Sequence, residues 1–315
     1  VIDAEIQLRR SALQMLSENK SFHQVINAAF TKSKVTEKSG FPVSLFKTKQ
    51  YLISDSAPLP IQLFRGNTLV STGDIDASSV KKTISLMTAW LANQVNETGY
   101  ANYKYWPGRG HYSSANNPIR QWMATVCLNR CAVAYKNAQL QNIAYKNLTY
   151  NLETTFRESD GLGYIWMNGT AKLGALSLAA LAIFESPLRK KYLNQEYKLR
   201  NTIYALSNSN GSFDTFLIPR WRKDNQNFYS GEALLFLATR YSISRNPEEL
   251  SRIMDAFNYY RDWHRSNRNP AFVPWHTQAY FLVWQTTKNE ALKDFIFEMN
   301  DWLLSMQQFQ LLDGF

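Results

Sequence analysis

Glu232 and His276 are the residues best placed to move protons, and each stands at the start of an apolar helical stretch. A carboxyl group partly withdrawn from water has a raised pKa and can act as general acid or base. An imidazole titrates near neutral pH and can do the same. Asp214 is the candidate second carboxylate of a glycosidase-type pair. Arg120, Lys172 and Arg220 precede or open comparable helices and could bind a carboxylate or phosphate, arginine through its planar fork. Trp106, Trp166, Trp221 and Trp275 lie in the preceding loops and could stack on sugar rings. Each has a plainer reading as well. Glu232 could cap its helix or pair with Arg120 or Lys172, His276 could be a satisfied structural histidine, and the tryptophans could be core.

The elements that must position these residues repeat. Tyr100–Tyr135, Gly161–Glu185, Gly211–Tyr241 and Asn269–Thr287 each combine an aromatic loop, marked by Gly or Pro, with a helix of small apolar residues. Between them run more polar helices, near 137–156, 188–207, 247–265 and 289–307. The run Leu173–Phe184 is apolar all round, as expected of a helix covered on every side. The stretch 188–207 carries Arg189, Lys190, Lys191, Glu196, Lys198 and Arg200, so one face is expected to meet water, with Arg189–Lys191 simply solvated. Inner helices wrapped by outer helices make an all-α fold, an (α/α) toroid of helical hairpins; an open solenoid is the alternative.

Residues 1–75 differ. Residues 3–31 read as helical, and β-like runs follow at Tyr51–Ile53, Ile61–Phe64 and Thr68–Val70, with Gly66-Asn67 as a turn. The expected division is therefore a small N-terminal α+β segment, 1–75, and the toroid, 76–315. At the far end, Trp302–Gln307 followed by Asp313-Gly314-Phe315 resembles Trp90–Gln94 followed by Gly99-Tyr100. A further inner helix is expected there; either the helix at 4–17 fills its place or more chain follows.

Composition narrows the classes. Hydrophobic residues at 45% exclude a disordered chain. The net charge of +10 suits an anionic partner, but the basic residues are scattered, and neither Arg189–Lys191 nor Arg220–Lys223 is long enough for a nucleic-acid arm. No run of 18 apolar residues predicts a membrane span. Cys127 and Cys131 lie four apart on one helix and read as small buried hydrophobes. Walker A, GxGxxG, HExxH and GxSxG motifs are absent, so neither cofactor nor metal is expected. The start at Val1 lacks a signal peptide, and bacterial cytoplasm and periplasm both fit.

Four helix starts, Asn117–Gln121, Lys172–Ala175, Tyr229–Leu235 and His276–Ala279, resemble those of the bacterial six-hairpin glycosidase-like proteins. That superfamily of (α/α) toroids includes glycoside hydrolases, unsaturated uronyl hydrolases and sugar epimerases. The resemblance spans roughly 76–315. It implies a hydrolase or epimerase acting on an oligosaccharide or acidic sugar in a pocket at the toroid end, with Glu232 and His276 handling protons and Gln121 and Tyr229 among the substrate-binding residues. Gln121 stands where the family pattern has a histidine. A non-catalytic glycan- or peptide-binding toroid, or a scaffold, is the competing reading.

Overall fold

The computed structural model describes residues 50–53, 59–64, 67–68, 73, 75–106 and 110–306. The helical reading of 3–31, the stretch Asp313–Phe315 and the closing inner helix lie outside these residues. The chain divides into two compact units, Val1–Ile75 with Gln308–Phe315, and Asp76–Gln307.

In the first unit, β1 (Gln50–Leu52), β2 (Ile61–Phe64) and β3 (Asn67–Thr68) form an antiparallel sheet in that order. Phe64 pairs with Asn67. Asn67 is therefore the first residue of the returning strand, one position earlier than the sequence suggests, and the connection shortens to residues 65–66.

The second unit is mainly helical. It opens with α1 (Ala77–Asn93), where Asp76 and Ser79 form a reciprocal capping box. Then come α2 (Pro118–Tyr135), α3 (Ala138–Thr155), α4 (Leu173–Glu185), α5 (Leu193–Ala205), α6 (Gln226–Ser244), α7 (Pro247–Ser266), α8 (Val273–Thr287) and α9 (Glu290–Ser305). The even-numbered helices form an inner row: α2 packs on α4, α4 on α6 and α6 on α8. The helix following each backs it from outside. The row centres on α4, in which Leu173 through Phe184 are all buried. No helix among the described residues is long and apolar enough to cross a membrane.

Besides Cys127 and Cys131, which are exposed and half-buried on α2 rather than buried, three features depart from the sequence reading. First, an all-α unit was expected, yet β6 (Phe156–Ser159), β7 (Leu162–Met167), β8 (Thr170–Lys172) and β9 (Phe216–Ile218) form a four-stranded antiparallel sheet. A further short hairpin pairs β4 (Tyr105–Trp106) with β5 (His111–Tyr112). Second, α6 starts at Gln226, ahead of the Tyr229–Leu235 start read from the sequence, so Glu232 lies in its second turn. Gly231 is no boundary: a Cβ there would meet Trp275 Cβ at 2.5 Å and His276 Nδ1 at 2.7 Å, so the glycine lets α8 approach. Third, Arg189 is not merely solvated. Its guanidinium pairs with Glu196 at 2.6 Å and lies 4.0 Å above the Phe184 ring, while Lys191 Nζ donates to the Tyr145 hydroxyl at 3.0 Å.

The loops that lead to the inner helices are gripped by the next outer helix. Asn147 donates to the Gly99 carbonyl, Thr202 to the Gly163 carbonyl, and the Tyr260 hydroxyl accepts from Phe213 N–H. Gly99 and Gly211 have φ of +96° and +86°, each jammed against an outer-helix backbone carbonyl, Lys146 O and Asp255 O respectively. Gly211→Ala combines this clash, at 2.2 Å, with a left-handed backbone. It should cost about 3 kcal/mol. Gly169→Ala, also left-handed but in open space, should cost only about 1 kcal/mol. Calorimetric melting of the two variants checks the ranking; equal losses would refute the packing role of Gly211.

Candidate functional site

Glu232 is the one sequence candidate with an isolated, deeply buried carboxyl. It is 2% exposed, and its Oε2 has no hydrogen-bond partner. The carboxyl lies over the first turn of α4, where a Cβ on Gly174 would meet Oε2 at 1.9 Å and the Tyr229 ring at 2.6 Å. Glycine at 174 thus makes the space in which the acid sits. Burial pushes its pKa up to about 8, and the Arg120 charge opposes this in part. At neutral pH the group is mostly protonated and can donate a proton.

The same environment acts on its neighbours. Burial, then the charge of Glu232, pushes the Tyr229 hydroxyl up to about 12. Lys172, the N-cap of α4, is half-buried, and its pKa is lowered by burial and then by Arg222, with Asp224 opposing. Arg222 is held by Asp224 through Nε at 2.9 Å and Nη2 at 2.6 Å, and lies 4.1 Å above the Phe216 ring. Gly174→Ala should displace the carboxyl and destabilise the protein by roughly 2 kcal/mol. Chemical denaturation measures this; an unchanged midpoint would show that the first turn of α4 has slack.

His276 is fully buried. Its ring stacks on Phe272 at 3.4 Å between centroids. Nδ1 lies 2.9 Å from the Phe272 carbonyl oxygen, so the proton sits on Nδ1, and Nε2 is 3.5 Å from Ser230 Oγ. Burial lowers its pKa to about 3, which keeps the ring neutral. Ser230 in turn donates to the Gln226 carbonyl, and Gln226 binds Tyr260 and Phe213. The single Ser230 hydroxyl proton is spent on Gln226, and Nε2 of the neutral ring can only accept, so His276 stands beside the network that fixes the start of α6 and its loop and is itself held by the Phe272 carbonyl and by ring stacking.

The other candidates divide. Gln121 spends its amide on the Ala101 backbone and Asn116, fastening the loop before α2. Asp214 pairs with Lys223 at 2.5 Å. The Arg120 guanidinium donates to Met123 Sδ, at 3.2 Å, and among the described residues neither it nor Arg220 has a carboxylate partner. Trp166 and Trp275 are half-buried against the core, whereas Trp106 and Trp221 are exposed. Sequence reasoning missed Gly174, Asp224 and Phe216. Gly174 was quoted only as part of a helix start, and nothing local signals that an acid from another helix rests on it.

A cavity of about 270 Å³ lies at the other end of the inner helices, lined by Ala132, Ala138, Tyr145 and Leu188 among others. It holds no carboxylate, lysine or arginine. Among the described residues, no group of His, Cys, Asp and Glu is arranged to hold a metal ion.

No protein-family model matches the chain, and no curated protein matches it in sequence. In structure it is similar to a sugar epimerase from a ruminal bacterium, with a TM-score of 0.57 over 75% of this chain and 73% of that one, at 12% identity. The likeness is one of fold.

Proposed function

We propose that the inner and outer helices belong to an (α/α) toroid and that the protein is a carbohydrate-active enzyme, a hydrolase or epimerase, with Glu232 transferring the proton. The carrying observation is the buried Glu232 carboxyl, protonated near neutral pH and free of any internal hydrogen bond at Oε2. Support for the substrate class comes from the fold shared with a sugar epimerase and from the exposed Trp106 and Trp221. In hydrolysis, Glu232 would protonate the departing glycosidic oxygen, with Asp214 the sequence candidate for the partner carboxylate. In epimerisation, a base on one face of the sugar would take the proton from carbon and Glu232 would deliver its own to the opposite face of the same carbon. His276, buried and neutral, serves this reading better as a positioning residue for α6 than as the proton carrier.

Incubating oligosaccharides and monosaccharides with the protein in D₂O tests this. New reducing ends mean hydrolysis, and deuterium at a sugar carbon with an inverted centre means epimerisation. Binding without either change would support a glycan-binding toroid instead, and no binding would reject both readings.

A further inference from the structure

The charges around Glu232 do not balance. Each carboxylate in the loop before α6 is already matched by a cation of the same loop: Asp214 by Lys223, and Asp224 by Arg222. Among the described residues, Arg120, Lys172 and Arg220 are left without a carboxylate. Glu232 could satisfy one of them only when ionised, and it is held in a place that disfavours ionisation. Two of the three lie beside the buried acid. Arg120 acts on it through its charge, and Lys172 is two residues before Gly174, on which the carboxyl rests. Lys172 also caps the thirteen-residue helix α4 without any side-chain hydrogen bond to it. The N-terminal dipole of that helix adds to the positive field.

Lys172, half-buried and without a carboxylate partner among the described residues, is unfavourable unless something else neutralises it, whereas Arg120 and Arg220 are exposed to water. Arg222, clamped by Asp224 and Phe216, adds a rigid positive neighbour to Lys172, against which the Asp224 charge works only in part. The unpartnered Oε2 of Glu232 offers a hydrogen-bond donor, when protonated, to the same ligand.

Resting on the carbohydrate reading, we infer that the ligand is an anionic sugar whose carboxylate or phosphate is bound by Lys172 and Arg120 at the starts of α4 and α2. Calorimetric titration with glucuronate, glucose 6-phosphate, glucose and inorganic phosphate tests it, the two charged sugars distinguishing carboxylate from phosphate. At least one charged sugar should bind about ten-fold or more tightly than glucose, and weaken as salt rises. Lys172→Met and Arg120→Met should each erase most of that preference relative to glucose, and Lys172→Arg should restore part of it. Equal binding of charged and neutral sugars would overturn the inference and leave the carbohydrate reading intact. Phosphate binding that is lost in Lys172→Met, with no sugar bound, would keep the anion site and remove the carbohydrate reading. No binding of any probe would remove both.

Discussion

Glu232→Gln is expected to lower sugar turnover by about 10²–10⁴-fold, the usual loss when a general acid is removed, without harming the fold. Gln has nearly the shape of a protonated Glu, and the native group is mostly protonated at neutral pH. The stronger test is the pH dependence of stability. The folded-state pKa is about 8 against an ordinary 4.5. Between these values the unfolded chain releases its proton while the folded chain keeps it. Stability is therefore fully present below about pH 4.5 and is lost as pH rises to and through 8. The total loss is on the order of 5 kcal/mol, since each unit corresponds to about 1.4 kcal/mol. The Gln variant lacks this slope. It should melt with the native protein near pH 4.5 and several degrees above it near pH 9. Turnover that needs the protonated acid should fall over the same alkaline limb. Melting curves of both proteins from pH 4.5 to 9 decide the matter. Parallel curves would mean that Glu232 ionises freely and that its depth carries no chemical consequence.

How far such a site can be read from sequence depends on whether its cause is local. The capping Asn117-Pro118 and the apolar run of α4 specify their helices through nearby residues, and both stand where expected. Asp160 and Gly161, between β6 and β7, both have the positive φ that Asp-Gly turns favour. The start of α6 was not legible, because Gly231 looks like a helix boundary until Trp275 and His276 are seen against it. The four-stranded sheet was missed for a related reason. Its strands are short, and β6 begins directly where α3 ends. At the site, spacing brought out Glu232 and His276, but depth separates their roles. Both are desolvated, yet desolvation raises the acid toward the working range and lowers the imidazole out of it. No pattern within the chain reports that difference.

Arg240→Met should be the most destabilising single change at the opposite end of α6. Arg240 donates to Glu196 through Nη1 at 2.9 Å and to Glu249 through Nε at 3.0 Å. Both acids are almost fully buried, with side chains 3% and 2% exposed. They open α5 and α7, so this one guanidinium ties two outer helices to an inner one. Without it, Glu196 keeps Arg189, but Glu249 is left with only the hydroxyls of Tyr204 and Ser244 and its own helix N-terminus. Leaving such a charge unmatched costs about 3–5 kcal/mol. For a unit of this size that lowers the melting temperature by roughly 10 °C. Adding Glu249→Gln should restore a substantial part, because the penalty lies in the stranded charge. Breaking the exposed pair Lys293–Glu290 should leave the melting temperature essentially unchanged. Arg240 sits near the C-terminal end of α6, while Glu232 sits near its start. Turnover per folded molecule at 25 °C should therefore survive Arg240→Met. A loss there as large as that of Glu232→Gln would mean that the ion network governs the geometry of the site as well as the stability of the row.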